Sequence, residues 1–125
     1  MKEDYIIIEL PLPISVNICY AWTKRRYKSE EYKNWLDIAL YKYKEQTEYN
    51  ISWDNWLEIT LNYFLPLYCK SWKKKKQDLD NFIKPTLDFL WHNLKGFKDE
   101  HIKVINAKKT DSKEQIVKIM IKEII

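Results

Sequence analysis

Residues 56–65 read Trp56-Leu57-Glu58-Ile59-Thr60-Leu61-Asn62-Tyr63-Phe64-Leu65, and every second one is apolar: Leu57, Ile59, Leu61, Tyr63 and Leu65. A period of two marks a strand with one face buried. The pattern lies within Trp53–Leu67, and Pro66 predicts that the strand ends there or bends at a sheet edge. Helical periodicity flanks it on both sides. Upstream, Ser29 reads as an N-cap, with Glu30 and Glu31 set favourably against the helix dipole. Tyr32, Trp35, Leu36, Ala39, Leu40 and Tyr43 then fall at i, i+3, i+4, i+7, i+8 and i+11, an amphipathic helix of roughly five turns. Downstream, Phe82, Ile83, Leu87, Leu90 and Leu94 form a second stripe, with Gly96 in the place of a C-cap glycine. Pro85 lacks a donor and disfavours α geometry at Lys84, which predicts regular helix only from Pro85 onward.

The ends of the chain supply more strands. Tyr5-Ile6-Ile7-Ile8-Glu9-Leu10 is a β-branched run stopped by Pro11 and Pro13. Two strands close the chain, His101–Lys108 and Gln115–Ile124, with Lys109-Thr110-Asp111-Ser112 as the turn between them. The order is β-α-β-α-β-β, without repeat or linker. It describes a small α+β domain over residues 1–125, with a mixed β-sheet and two main helices.

Composition narrows the function. The 125 residues are 46% hydrophobic, enough for a core, and 32% charged. No stretch reaches the ~18–20 apolar residues of a membrane span. The start, Met1-Lys2-Glu3-Asp4, lacks the pattern of a signal peptide, so the expected location is the cytoplasm. Cys19 and Cys69 are too few for a disulfide framework or a zinc site. Charge is uneven. Residues 1–69 hold 8 basic and 10 acidic side chains, whereas residues 70–125 hold 14 and 8. A basic C-terminal half points to an anionic partner, with nucleic acid the first candidate and a solvated Lys-rich surface the alternative.

The chemistry concentrates in Trp72-Lys73-Lys74-Lys75-Lys76-Gln77-Asp78-Leu79-Asp80-Asn81-Phe82-Ile83-Lys84. In extended chain, Asp78 and Asp80 would present both carboxylates on one side. Carboxylates repel DNA phosphate unless a divalent cation lies between them, and Mg²⁺ commonly uses one or two carboxylates plus water and substrate phosphate. Asp99 and Glu100 are the nearest candidates for a further acid. Plainer roles are open too. Asp80 can serve as a helix cap, and Asp80 with Lys84 can form a surface ion pair worth under about 1 kcal/mol. A calcium EF-hand fails, because the sixth position from Asp78 is Ile83 and the twelfth is Phe89.

Taken together, Asp78-Leu79-Asp80-Asn81-x-x-Lys84-x-x-x-Asp88, Gly96 and Asp99-Glu100-His101-Ile102 closely resemble the RusA family of Holliday junction resolvases. Pro13-Ile14-Ser15-Val16-Asn17 matches the family's early Pro-x-Ser-x-Asn element, and the basic loop, helix and closing strands follow in the expected order. The resemblance is specific between Lys73 and Ile102. It implies a homodimeric, Mg²⁺-dependent endonuclease, with Mn²⁺ a possible substitute, that nicks four-way DNA junctions symmetrically. Asp78, Asp80 and Asp99 match its catalytic, metal-holding carboxylates, and Lys84 its essential lysine. One departure stands out. The family usually carries two adjacent acids before the motif's last hydrophobic residue, whereas this chain reads Lys98-Asp99-Glu100. Counting back three residues from Ile102 selects Asp99, and Glu100 is close enough to substitute.

Around that set, Lys73, Lys74, Lys75 and Lys76 are expected to contact the DNA backbone, and Lys24, Arg25 and Arg26 to extend the same surface. Asn81 and Asp88 are expected to support the site, Asp88 by pairing with Lys84 one turn away. Trp72 offers a ring for unpaired bases. His92 and His101 have no partners at metal-ligand spacing. The competing functions are a nuclease preferring forks or D-loops, a non-catalytic DNA-binding or regulatory protein, and a structural dimerisation module. The intact acid-and-lysine set favours catalysis over the last two.

Overall fold

In the computed structural model of the chain, residues 5–14, 20–22, 26–46, 51, 55–68, 71 and 78–124 are described. The strand with the two-residue period, β4 (Trp56–Leu65), alternates buried positions with half-buried ones after an exposed Trp56. Its inner residues Leu57, Ile59, Leu61, Tyr63 and Leu65 are at most 1% exposed. Burying each such large apolar side chain stabilises the fold by roughly 1.5–3 kcal/mol. β4 is an inner strand. The sheet runs in the order β1 (Tyr5–Pro11), β6 (Ile116–Ile124), β4, β5 (Ile102–Asp111). β6 is antiparallel to both β1 and β4, while β4 and β5 are parallel.

Pro66 therefore ends β4 rather than marking a sheet edge. The four residues 112–115 carry the chain from β5 past the end of β4 to β6. There the Ser112 N–H donates to the Leu65 carbonyl at 3.0 Å, and the Leu67 N–H donates to Asp111 Oδ1 at 2.9 Å. β5 also extends further than its composition suggests, because Lys109, Thr110 and Asp111 pair with Tyr63, Phe64 and Leu65. The Thr110 hydroxyl bonds Asn62 Oδ1 across the ladder at 2.7 Å. The turn expected at 109–112 thus lies three residues later.

The helices α1 (Glu30–Glu45) and α2 (Asp80–Asn93) share one core with the inner face of the sheet. Ser29 caps α1 as expected, its hydroxyl accepting from the Tyr32 N–H at 3.2 Å. Trp35 fixes α1 to the sheet by donating its indole N–H to the Pro11 carbonyl at 3.1 Å. The two helices meet at Phe89, which has Trp35 and Tyr43 rings edge-on at 5.7 Å each. The opposite sheet face leaves Ile7, Trp56 and Met120 exposed among lysines, as an open antiparallel face can. A hairpin of β2 (Tyr20–Trp22) and β3 (Arg26–Lys28) adds two strands absent from the expected order. Three residues each is too short for a period to register. No described helix is long and apolar enough to cross a membrane.

The start of α2 departs from expectation. Helix begins at Asp80, with Pro85 inside it. A proline in the sixth helical position leaves only the Asn81 carbonyl without its i+4 donor, and the Pro85 ring is buried. The other end also differs in kind. Gly96 lies beyond the C-cap Leu94 and occupies the third position of a turn closed by the Phe97 N–H on the Leu94 carbonyl at 3.1 Å. Its φ of +83° is the value that a type II turn demands there. The Ile51 N–H donates to the Lys95 carbonyl at 2.8 Å, and this brings the Ile51 oxygen to 1.9 Å from where a Cβ on Gly96 would stand. Gly96→Ala should accordingly cost more than about 2 kcal/mol, through backbone strain and the clash together, as read by urea denaturation.

Candidate active site

Asp78, Asp80 and Lys84 lie on one short stretch at the N-terminus of α2. The backbone of Leu79 is already helical (φ −58°, ψ −41°), so the segment is not the extended chain in which a two-residue period would align both carboxylates. The Asn81 and Phe82 N–H groups donate to the Asp78 and Leu79 carbonyls, each at 3.1 Å, which makes the first turn tight and 3₁₀-like. Leu79 occupies the cap position without a side-chain acceptor, and Asp80 is the first helical residue, not the cap. Both carboxylates are exposed and make no ion pair with a described residue. They sit at the positive end of the helix, where a carboxylate is stabilised by about 0.3–1 kcal/mol.

Lys84, one turn on, is also exposed. Its Nζ lies 3.6 Å from Asp88 Oδ2, the pairing expected of Asp88. Exposed pairs of this kind contribute about 0–1 kcal/mol, so the ammonium can leave for a phosphate at little cost. Asn81 is half-buried and holds the Asp78 carbonyl through its N–H.

Asp99 and Glu100 occupy a 3₁₀ turn, Asp99–His101, immediately before β5. Both are exposed, and the turn is closed by the His101 N–H on the Lys98 carbonyl at 3.0 Å. Its position matters. β5 begins at Ile102 opposite Leu57, where β4 begins, whereas α2 starts near Tyr63, close to where β4 ends. Over the 14 residues of α2 the two ends lie about 20 Å apart. A single chain thus keeps Asp78 and Asp80 apart from Asp99 and Glu100. Among the described residues no group of three or more His, Cys, Asp or Glu side chains could hold a metal ion. The Asp78–Asp80 pair does match the donor chemistry of Mg²⁺, which takes hard oxygen ligands and often only one or two carboxylates.

Lys73, Lys74, Lys75, Lys76, Trp72, Lys24 and Arg25 lie outside the described residues, as do Ser15, Val16 and Asn17. Arg26 begins β3. His92 is exposed in the last turn of α2, against the Trp91 ring. A cleft of about 510 Å³ lies between β1 and the end of α1, lined by Glu9, Pro11, Lys42 and Gln46 among others, and includes none of the acids considered. The acids stand on exposed turns, an arrangement open to a polymer and unlike the enclosed pocket of a small ligand.

Sequence reading passed over one pair next to the site. Tyr63 and Thr86 are fully buried and hydrogen-bonded to each other beneath the first turns of α2. Thr86 lies four residues after Phe82 in an otherwise apolar stripe, the one signal that could have singled it out.

The family model for endodeoxyribonuclease RusA matches residues 11–122 of the 125, and the chain belongs to that family. It is a family of crossover junction endodeoxyribonucleases, so membership implies an endonuclease that resolves Holliday junctions. No curated protein matches the chain. Because the Lys84–Asp88 pair is solvent-exposed, Asp88→Asn should change unfolding stability by less than about 0.5 kcal/mol in urea.

Proposed function

We propose that the protein is a Mg²⁺-dependent, structure-selective endodeoxyribonuclease. It acts as a homodimer in the cytoplasm and resolves four-way junctions by paired symmetric nicks during DNA recombination and repair. The reading is carried by the family match over residues 11–122 together with the exposed Asp78-x-Asp80-Asn81-x-x-Lys84 turn. Asp78 and Asp80 would hold the cation, with Asp99 or Glu100 as the further carboxylate. When bound, Mg²⁺ supplies a Lewis acid for the scissile phosphate and lowers the pKa of the attacking water.

The chain's own residues do the rest. Lys84 leaves Asp88 to meet the charge that builds on the non-bridging phosphate oxygens. Water adds to phosphorus, the bond to the 3′ oxygen breaks, and that oxygen takes a proton, leaving a 5′-phosphate and a 3′-hydroxyl. Lys73, Lys74, Lys75 and Lys76 hold the DNA backbone without reading sequence, and Lys24, Arg25 and Arg26 extend the contact, so binding weakens as salt rises.

Topology as well as paired cutting supports a dimer. Since α2, about 20 Å long, runs between the Asp78–Asp80 turn and the segment leading to Asp99 and Glu100 within one chain, the reading places Asp78 and Asp80 of one copy beside Asp99 and Glu100 of the other. Two such composite sites then face the two strands to be cut.

Three arms on one gel test this. Wild-type protein should nick a labelled four-way junction symmetrically in Mg²⁺, and should cut neither in EDTA nor on a matched linear duplex. Asp80→Asn should lower the cutting rate by at least about 100-fold while still binding the junction. Tight binding without cutting in Mg²⁺ or Mn²⁺ would transfer the assignment to a non-catalytic binder. The third arm mixes Asp80→Asn with an Asp99→Asn/Glu100→Gln double variant, each inactive alone. A composite site regains one intact centre per mixed dimer and gives single nicks. Sites contained within one copy stay inactive.

A further inference from the structure

The catalytic turn is weakly held by its own helix. It has no side-chain cap, its first hydrogen bonds are 3₁₀-like, and Pro85 withholds a donor from the Asn81 carbonyl. What holds it comes from the sheet. Tyr63, on the inner face of β4, places its hydroxyl 3.1 Å from the Phe82 carbonyl and 2.8 Å from Thr86 Oγ1. The Thr86 hydroxyl lies 2.7 Å from the same carbonyl, and the Tyr63 and Phe82 rings pack at 5.6 Å. All three residues are buried, with Tyr63 and Thr86 fully so. Two hydroxyl protons serve three contacts in a closed triangle. Burial pushes the Tyr63 phenol well above its ordinary range, although its bond to Thr86 opposes the shift. The hydroxyl is therefore protonated at working pH and able to donate.

We propose that Tyr63 and Thr86 are positioning residues for the cutting site, fixing through the Phe82 carbonyl the height and rotation of the turn that carries Asp80 two residues before and Lys84 two residues after. Buried polar groups in an apolar core are costly unless hydrogen-bonded, and a bonded network fixes how the segments that supply it sit against each other. Apolar packing alone would let the turn slide or rotate by fractions of an ångström. Phosphodiester attack does not tolerate that freedom, since a misplacement of about 1 Å can cost about 100-fold in rate. The inference rests on the nuclease reading above.

The test compares Tyr63→Phe and Thr86→Val with Thr86→Ser, which restores the hydroxyl, and with Trp35→Phe. That last variant deletes a hydrogen bond of similar length, to the Pro11 carbonyl, in which no residue of the turn takes part. Junction cleavage under single-turnover conditions, junction affinity, Mg²⁺ dependence and amide hydrogen exchange are read for each. Tyr63→Phe and Thr86→Val are expected to lower the cleavage rate about 10-fold or more at unchanged junction affinity. They should need more Mg²⁺ for half-maximal rate and speed exchange at residues 80–84 but not in β4 or β6. Their double variant should be no worse than either alone, Thr86→Ser should recover the rate, and Trp35→Phe should keep it. Wild-type rate and Mg²⁺ dependence in Tyr63→Phe overturn the proposal, as does a loss that Trp35→Phe matches at equal stability. A wild-type protein that does not cut junctions fails the nuclease reading instead, and unchanged exchange at 80–84 in Tyr63→Phe would then separately show that the triangle does not hold the turn.

Discussion

The parallel pairing of β4 with β5 is the constraint from which the rest of the molecule follows. Parallel neighbours cannot be joined by a hairpin, so the chain must leave the end of β4, return along the sheet and re-enter beside the start of β4. α2 makes that return. Its start therefore belongs to one end of the sheet and the turn after it to the other. The 22 residues from Asp78 to Asp99 look like one motif in sequence, yet the crossover spreads them along the full length of a helix. The proposed dimer would join the two ends by setting a second copy beside the first.

The same crossover explains how α2 is built. Its N-terminus is the chemically useful end, where helix polarity favours carboxylates and leaves backbone donors uncommitted. A side-chain cap there would help the helix but would place another group among Asp78 and Asp80. In its absence the turn is held from below, by a tyrosine reaching up from the central strand and a threonine reaching back along the helix. Stability is thus drawn from β4, the best-buried strand, and the surface turn stays open. Pro85 fits this arrangement, because burial of its ring compensates for the donor it lacks.

Much of the fold was legible because each main element carries its own period. β4 and α1 were visible in full, down to the Ser29 cap, since burial on one face imposes alternation on a strand and a 3.6-residue stripe on a helix. What misled were the places where one residue type has two physical uses. Pro85 reads as a helix breaker unless the missing donor falls near the helix start. Gly96 reads as a helix cap, though the close approach of Ile51 and a type II turn are what require it. Lys109 and Thr110 read as turn residues until a parallel neighbour holds them in the ladder.

The candidate site divides along the same line. By itself the sequence determined the chemical inventory: two acids, an asparagine and a lysine at fixed spacing, a further acid 19 residues past Asp80, and a lysine run beside them. Those features are local, and spacing along the chain reports them faithfully. Only the tertiary structure decided that Asp78 and Asp80 stand on a helical turn, that Asp99 and Glu100 lie at the far end of the crossover, and that Tyr63 lies beneath the turn carrying Lys84. These are relations between segments brought together by strand pairing. Strand pairing depends on which edges meet in the folded sheet, and no local period encodes that.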